Sequence, residues 1–160
     1  MNLPTSRVLA VATGCLMASA VQAEPLRVFV GTYTGAKSEG IYAFSFDNET
    51  GQVAPLGLAA KASNPSFLAV SPDRRFLYAV NEDNQWKGQP GGAVTAYAIP
   101  AQGGTLRELN QQGSLGAAPC HLSVDATGRV VLAANYTGGS VVSYPVQSDG
   151  SLGPRAAFIQ

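Results

Sequence analysis

The sequence repeats itself, and that repeat limits the fold more than any other feature. Leu68-Ala69-Val70-Ser71-Pro72-Asp73 lies over Leu122-Ser123-Val124-Asp125-Ala126-Thr127, and Phe76-Leu77-Tyr78-Ala79-Val80-Asn81 over Val130-Val131-Leu132-Ala133-Ala134-Asn135. Gly92-Ala93-Val94-Thr95-Ala96-Tyr97 then lies over Gly139-Ser140-Val141-Val142-Ser143-Tyr144, and Gly104-Thr105-Leu106 over Gly150-Ser151-Leu152. The offset is 54 positions early in the unit and 46 at its end, the difference falling in Glu82 to Gly91, an insertion that holds Trp86. An earlier copy runs through Val28-Phe29-Val30-Gly31-Thr32, Gly40-Ile41-Tyr42-Ala43-Phe44 and Gly51-Gln52-Val53.

Each copy reads as short strands separated by turns. Leu122 and Val124 alternate with Ser123 and Asp125, which predicts a half-buried strand. Val130 to Ala134 is apolar throughout, which predicts a strand buried on both faces. An alternating strand follows Gly139, and a last one follows a Gly-containing turn. Units of about four strands recurring every 40 to 50 residues are the mark of a β-propeller. A plain β-sandwich would explain the strands without explaining the repeat. The fold class is therefore all-β, a propeller of four-stranded antiparallel blades.

Composition agrees. Hydrophobic residues make up 46% of the chain, but 18 Gly and 10 Pro break them into short runs. Beyond the first two dozen residues no capped 3.6-residue apolar period occurs. Formal net charge is zero, only 12% of residues are charged, and no basic patch is present. Nucleic acid is not an expected partner.

Residues 1–23 read as an address. Arg7 precedes an apolar run, Val8 to Val21, which ends in Val21-Gln22-Ala23. This is the secretory pattern, with cleavage expected before Glu24 and a periplasmic destination. The run falls short of the roughly 20 residues that span a bilayer, so no membrane anchor is expected after cleavage. Cleavage removes Cys15 and leaves Cys120 alone, so no internal disulfide is expected.

Residues 24–160 then hold two and a half to three blades. Closing a ring takes at least four, roughly 184 residues at this repeat length. The expectation is the N-terminal part of a longer propeller.

Two antiparallel strands joined by a turn bring the start of the first beside the end of the second. His121, the only histidine, should therefore meet Asn135 and Tyr136 at one end of a hairpin, with Asp125 to Arg129 at the other. Glu82 follows the second strand of its unit as Tyr136 does in the next, and Tyr33 follows the corresponding strand of the first. Cys120 stands next to His121, but neighbours on a strand point to opposite faces, which argues against a nucleophile and base pair.

Several motifs carry a resemblance. They are Val30-Gly31-Thr32-Tyr33-Thr34, Asn64-Pro65-Ser66-Phe67-Leu68, Leu77-Tyr78-Ala79-Val80-Asn81-Glu82, Pro119-Cys120-His121-Leu122-Ser123-Val124-Asp125 and Ala134-Asn135-Tyr136. Their order resembles the lactonase family of seven-bladed propellers, typified by the propeller 6-phosphogluconolactonases, with muconate cycloisomerases as relatives. The resemblance implies seven blades and a lactone hydrolase of carbohydrate metabolism, in the pentose phosphate route. It also implies a further histidine-containing segment beyond Gln160. The export pattern points away from a phosphorylated cytosolic substrate.

Opening a lactone takes a base to activate water and donors for the oxyanion. His121 suits the base because an imidazole titrates near neutrality; the alternative is a histidine bonded to a neighbouring blade. Glu82 could orient the imidazole, act as the base or bind a sugar hydroxyl, against the alternative of a solvated strand-end carboxylate. Asn81 and Asn135 either bind substrate hydroxyls or close turns through their side chains. Tyr33 and Tyr136 either meet a sugar or pack between blades. No His/Cys/Asp/Glu set has metal-ligand spacing, Gly138-Gly139 lacks the lysine of a phosphate loop, and no nucleophile elbow occurs. The expected chemistry uses no cofactor and no metal. The rival readings are a non-catalytic exported binding module and an inactive fragment.

Overall fold

A computed structural model describes residues 25–160. The signal-sequence expectation for residues 1–23 lies outside these described residues.

The described residues form thirteen strands, all antiparallel in their pairings, and no helix. The first sheet has three strands in sequential order: β1 (Leu26–Val30), β2 (Gly40–Phe46) and β3 (Val53–Lys61). The second has four: β4 (Leu68–Val70), β5 (Phe76–Asn81), β8 (Ala93–Ala98) and β9 (Arg107–Gly113). The third also has four: β10 (Pro119–Val124), β11 (Val130–Asn135), β12 (Ser140–Pro145) and β13 (Ala157–Ile159). The blades fall where the repeat puts them. The first shows three strands among the described residues, which start at the equivalent of the second strand.

The insertion between Glu82 and Gly91 is a small hairpin, β6 (Gln85–Trp86) paired with β7 (Gln89–Pro90). Lys87 and Gly88 turn it with φ of 48° and 77°, the two positive values that a two-residue hairpin turn requires. Trp86 ties it down. Its indole Nε1 donates to Gln111 Oε1 at 2.5 Å, and its ring fills the space that a side chain at Gly113 would take.

Two cores lie between the blades. Ile41, Ala43 and Ala59 of the first blade pack with Leu77, Ala79 and Tyr97 of the second. Tyr78, Val80 and Val94 of the second pack with Leu122, Val131, Val142 and Tyr144 of the third. Residue parity along each strand sets which neighbour a side chain meets.

The same parity corrects one expectation. β5 is buried at every position because a blade covers each of its faces, whereas Leu132 in the equivalent β11 is 40% exposed. Leu132, Val141 and Ile159 share the face of the third blade turned away from the second, and no described strand covers it. An apolar run reports a capacity for burial, and the neighbour decides whether it is used.

Candidate functional site

The inner strands begin, and the second strands end, at one edge of the blades. In the second blade the Glu82 amide donates to Asn64 O (3.0 Å); in the third, the Tyr136 amide donates to Ala118 O (2.9 Å). Asn64 and Ala118 both adopt left-handed φ, 40° and 53°, which bends the chain into the proline that follows each. Asparagine tolerates that conformation better than alanine does.

Asn64 and Asp83 stitch the blades together at this edge. Asn64 Oδ1 accepts from the Thr34 amide (2.9 Å), its Nδ2 donates to Asp83 Oδ1 (2.7 Å), and Asp83 O accepts from the Ala118 amide (3.0 Å). Three blades are thus joined by polar bonds next to Tyr33, Glu82 and Pro119, the first to the second through the Asn64 side chain and the second to the third through backbone.

Glu82 is the centre of this edge. The Tyr33 hydroxyl, from the first blade, donates to Glu82 Oε2 at 2.9 Å, and the Ser66 hydroxyl of its own blade makes a short bond to the same oxygen. The carboxylate raises the pKa of the Tyr33 phenol, first through this hydrogen bond and then through its charge. Tyr33 is 67% exposed, so its ring stays available to a ligand.

His121 stands one blade further on. Its ring is tilted at 44° against Phe67, with centroids 4.2 Å apart, and the residue is exposed. Phe67 follows Ser66 directly, so adjacent residues of one segment contact the Glu82 carboxylate and the imidazole. Phe67 and His121 occupy the same repeat position in successive blades. Among the described residues no hydrogen bond joins Glu82 to His121, so the geometry does not show Glu82 orienting the imidazole. Tyr136, 81% exposed, takes in the third blade the position that Glu82 holds in the second.

The register breaks between Pro119 and His121, where β10 carries a bulge. Strict alternation is suspended there, so the opposite-face argument about Cys120 and His121 does not hold at this point. Cys120 is a free, half-buried thiol whose Sγ lies 4.0 Å from Ala134 O.

Asn81 and Asn135 hold strand ends. Both are only 3% exposed. Asn81 Nδ2 donates to Ser63 O (2.8 Å), and its Oδ1 accepts from Thr95 Oγ1 (2.6 Å) and Gln111 Nε2 (3.1 Å). Asn135 Nδ2 donates to Ser114 O (3.1 Å) and Ser140 Oγ (3.0 Å). Each amide ties a second-strand end to the segment arriving from the last strand of the preceding blade. Near-complete burial sets both amides in these strand-end contacts, the second of the two roles that the sequence left open for them.

At the opposite edge the carboxylates hold turns. Asp125 accepts from Thr127 Oγ1 (2.5 Å) and from the amides of Thr127, Arg129 and Val130. Those bonds, the Thr127 hydroxyl first, hold its carboxyl at about 2, well below the usual range. Asp73 likewise accepts from Ser71 Oγ and the Arg75 amide.

Sequence reasoning chose Tyr33, Glu82, His121 and Tyr136 for this edge but passed over Ser66 and Phe67. The available signal was the repeat itself, since Ser66-Phe67 lies over Cys120-His121.

The sequence matches the family described as Lactonase, 7-bladed beta-propeller over residues 27–160. The chain belongs to this family. A 6-phosphogluconolactonase from Bacillus subtilis is 44% identical over 124 residues, covering 78% of this chain and 34% of that protein. A second, from Formosa agariphila, is 32% identical, with 78% and 35% covered. Among solved structures, the Pseudomonas aeruginosa periplasmic gluconolactonase PpgL is similar at a TM-score of 0.72 and 40% identity, covering 81% of this chain and 37% of that one. The chain spans about a third of the length of the curated relatives it matches.

Proposed function

We propose that the whole protein hydrolyses a sugar lactone, exported to the periplasm and acting on a substrate without a phosphate. One observation carries the lactonase reading: a carboxylate fixed by hydroxyls from two blades and an exposed imidazole stand at one edge of the blades, which also presents Tyr136. Relatives named 6-phosphogluconolactonase support the reaction class. The Arg7 to Ala23 pattern and the likeness to a periplasmic gluconolactonase support export and an unphosphorylated substrate.

In this reading an imidazole nitrogen of His121 takes a proton from water as the water oxygen attacks the lactone carbonyl carbon. The tetrahedral oxyanion reforms the carbonyl, the ring C–O bond breaks, and the imidazolium returns the proton to the departing alkoxide. The product is a hydroxy acid. Glu82, its Oε2 already occupied, serves as an acceptor for substrate hydroxyls, and Tyr33 and Tyr136 offer ring faces to the sugar.

The test compares δ-gluconolactone and 6-phosphogluconolactone as substrates of the whole protein from the exported fraction. Faster opening of the unphosphorylated lactone is expected. Preference for the phosphorylated one overturns the substrate assignment, and no acceleration over buffer overturns the reaction.

A further inference from the structure

Within the function proposed above, we propose that Ser66 is a specificity-determining residue: it holds Glu82 Oε2 so that Oε1 receives a ring hydroxyl, which selects polyhydroxylated lactones over plain ones. This rests on the lactonase reading of the site.

The first support is the distribution of bonds on the carboxylate. Tyr33 and Ser66 both donate to Oε2. A carboxylate accepts through about four lone-pair sites, and two donors on one oxygen fill that oxygen's share. A hydroxyl arriving from a ligand is then directed to Oε1. Because the donors come from different blades, rotation of the carboxylate would break bonds on both sides.

The second support lies in the repeat. Ser66 and Cys120 hold equivalent positions, as do Glu82 and Tyr136. In the second blade a strong hydroxyl donor bonds the carboxylate, whereas in the third a thiol, a weak donor, stands in its place with its sulfur 4.0 Å from Ala134 O. The two positions differ together between blades. Serine at 66 answers to glutamate at 82, whereas packing against the inner strand alone would accept either side chain.

A site built to hydrogen-bond a substrate hydroxyl discriminates strongly against analogues that lack it. Loosening the Glu82 carboxylate should weaken that discrimination and act mainly on KM.

The experiment measures kcat/KM of the whole protein and its variants on δ-gluconolactone and δ-valerolactone, which lacks ring hydroxyls. Ser66→Ala is expected to lower the gluconolactone-to-valerolactone ratio about tenfold, mostly through KM for gluconolactone. Ser66→Thr, which keeps the hydroxyl, is expected to restore the ratio to within about threefold. Ser66→Cys, the side chain found at the equivalent position, keeps the packing and is expected to behave like Ser66→Ala. Equal loss on both lactones, or an unchanged ratio in Ser66→Ala and Ser66→Cys, overturns this inference while leaving the lactonase reading in place. If wild-type protein opens neither lactone faster than buffer, the reading itself falls and carries this inference with it.

Discussion

Thr95 and Val142 take the same place in the third strands of successive blades, and only Thr95 supplies a hydrogen to the asparagine beside it. Thr95 Oγ1 donates to Asn81 Oδ1 at 2.6 Å, and Gln111 adds a second donor. In the third blade Val142 and Phe158 stand in those two positions, and Asn135 Oδ1 is buried with no hydrogen-bond partner. An unmatched buried acceptor costs on the order of 1–3 kcal/mol. Val142→Thr keeps the shape and adds the missing donor. It should raise unfolding stability by about 1 kcal/mol in a urea titration. A drop in stability would show that the new hydroxyl points away from Asn135.

The repeat made the blades legible, and its logic explains what stayed hidden. Strand identity depends on local pattern, so β5, β8, β11 and β12 lie where the aligned segments put them. Burial depends on the neighbour, which is why Leu132 is exposed although its run reads like that of β5. For the two asparagines, position was legible but direction was not: they stand at strand ends as read, yet turn inward. The Tyr33–Glu82 bond joins residues 49 positions apart in different blades, and no spacing rule reaches across that boundary. Ser66 could be read only through its repeat partner Cys120, a different residue type, and its bond to Glu82 follows from the fold rather than from the pattern.

If His121 is the base, His121→Ala should lower kcat/KM on a sugar lactone by roughly 10²-fold or more in the whole protein. The exposed ring touches Phe67 without being buried, so the melting temperature should move little. Turnover within about twofold of wild type, together with early melting, would assign the imidazole to packing.

The Tyr33 phenol reports on Glu82 without any substrate. Its pKa is raised above the ordinary tyrosine value because the carboxylate accepts its hydrogen bond and repels the phenolate. Glu82→Gln removes the charge and should bring the Tyr33 titration down toward the ordinary value. Removing the Ser66 hydroxyl should move it up, since Ser66 favours the phenolate. Site-resolved NMR of labelled tyrosine rings would read both shifts, and a Tyr33 titration indifferent to Glu82→Gln would refute the bond.

Asp125 should govern part of the acid response. Its folded pKa of about 2 lies below the roughly 3.9 of an unfolded chain. The group therefore stabilises the fold fully above about pH 4, and that contribution fades as pH falls through about 2. Asp125→Asn keeps the shape and one acceptor but loses the charge. Its melting temperature should lie below wild type by a constant margin from pH 7 to about 5, and the margin should close between about pH 4 and 2. A margin that persists at pH 2 would locate the effect in shape rather than charge.

The two outer faces of the described blades are apolar. Leu26, Val28 and Val30 line one end at 40–48% exposure, and Leu132, Val141 and Ile159 line the other at 40–69%. Covering what remains exposed of these side chains is worth roughly 1 kcal/mol each, and unpaired apolar sheets promote association. Residues 25–160 produced alone should therefore self-associate, and sedimentation should show species larger than a monomer. Leu132→Lys with Val141→Lys places two charges on one face and should reduce that association, since Lys on an exposed sheet is a common natural defence. In the whole protein the same pair should instead destabilise, if a further blade packs against this face, because the charges would then be buried without partners. Opposite signs in the two contexts are the expected result. A double variant that is neutral in the whole protein would mean that this face stays in water there.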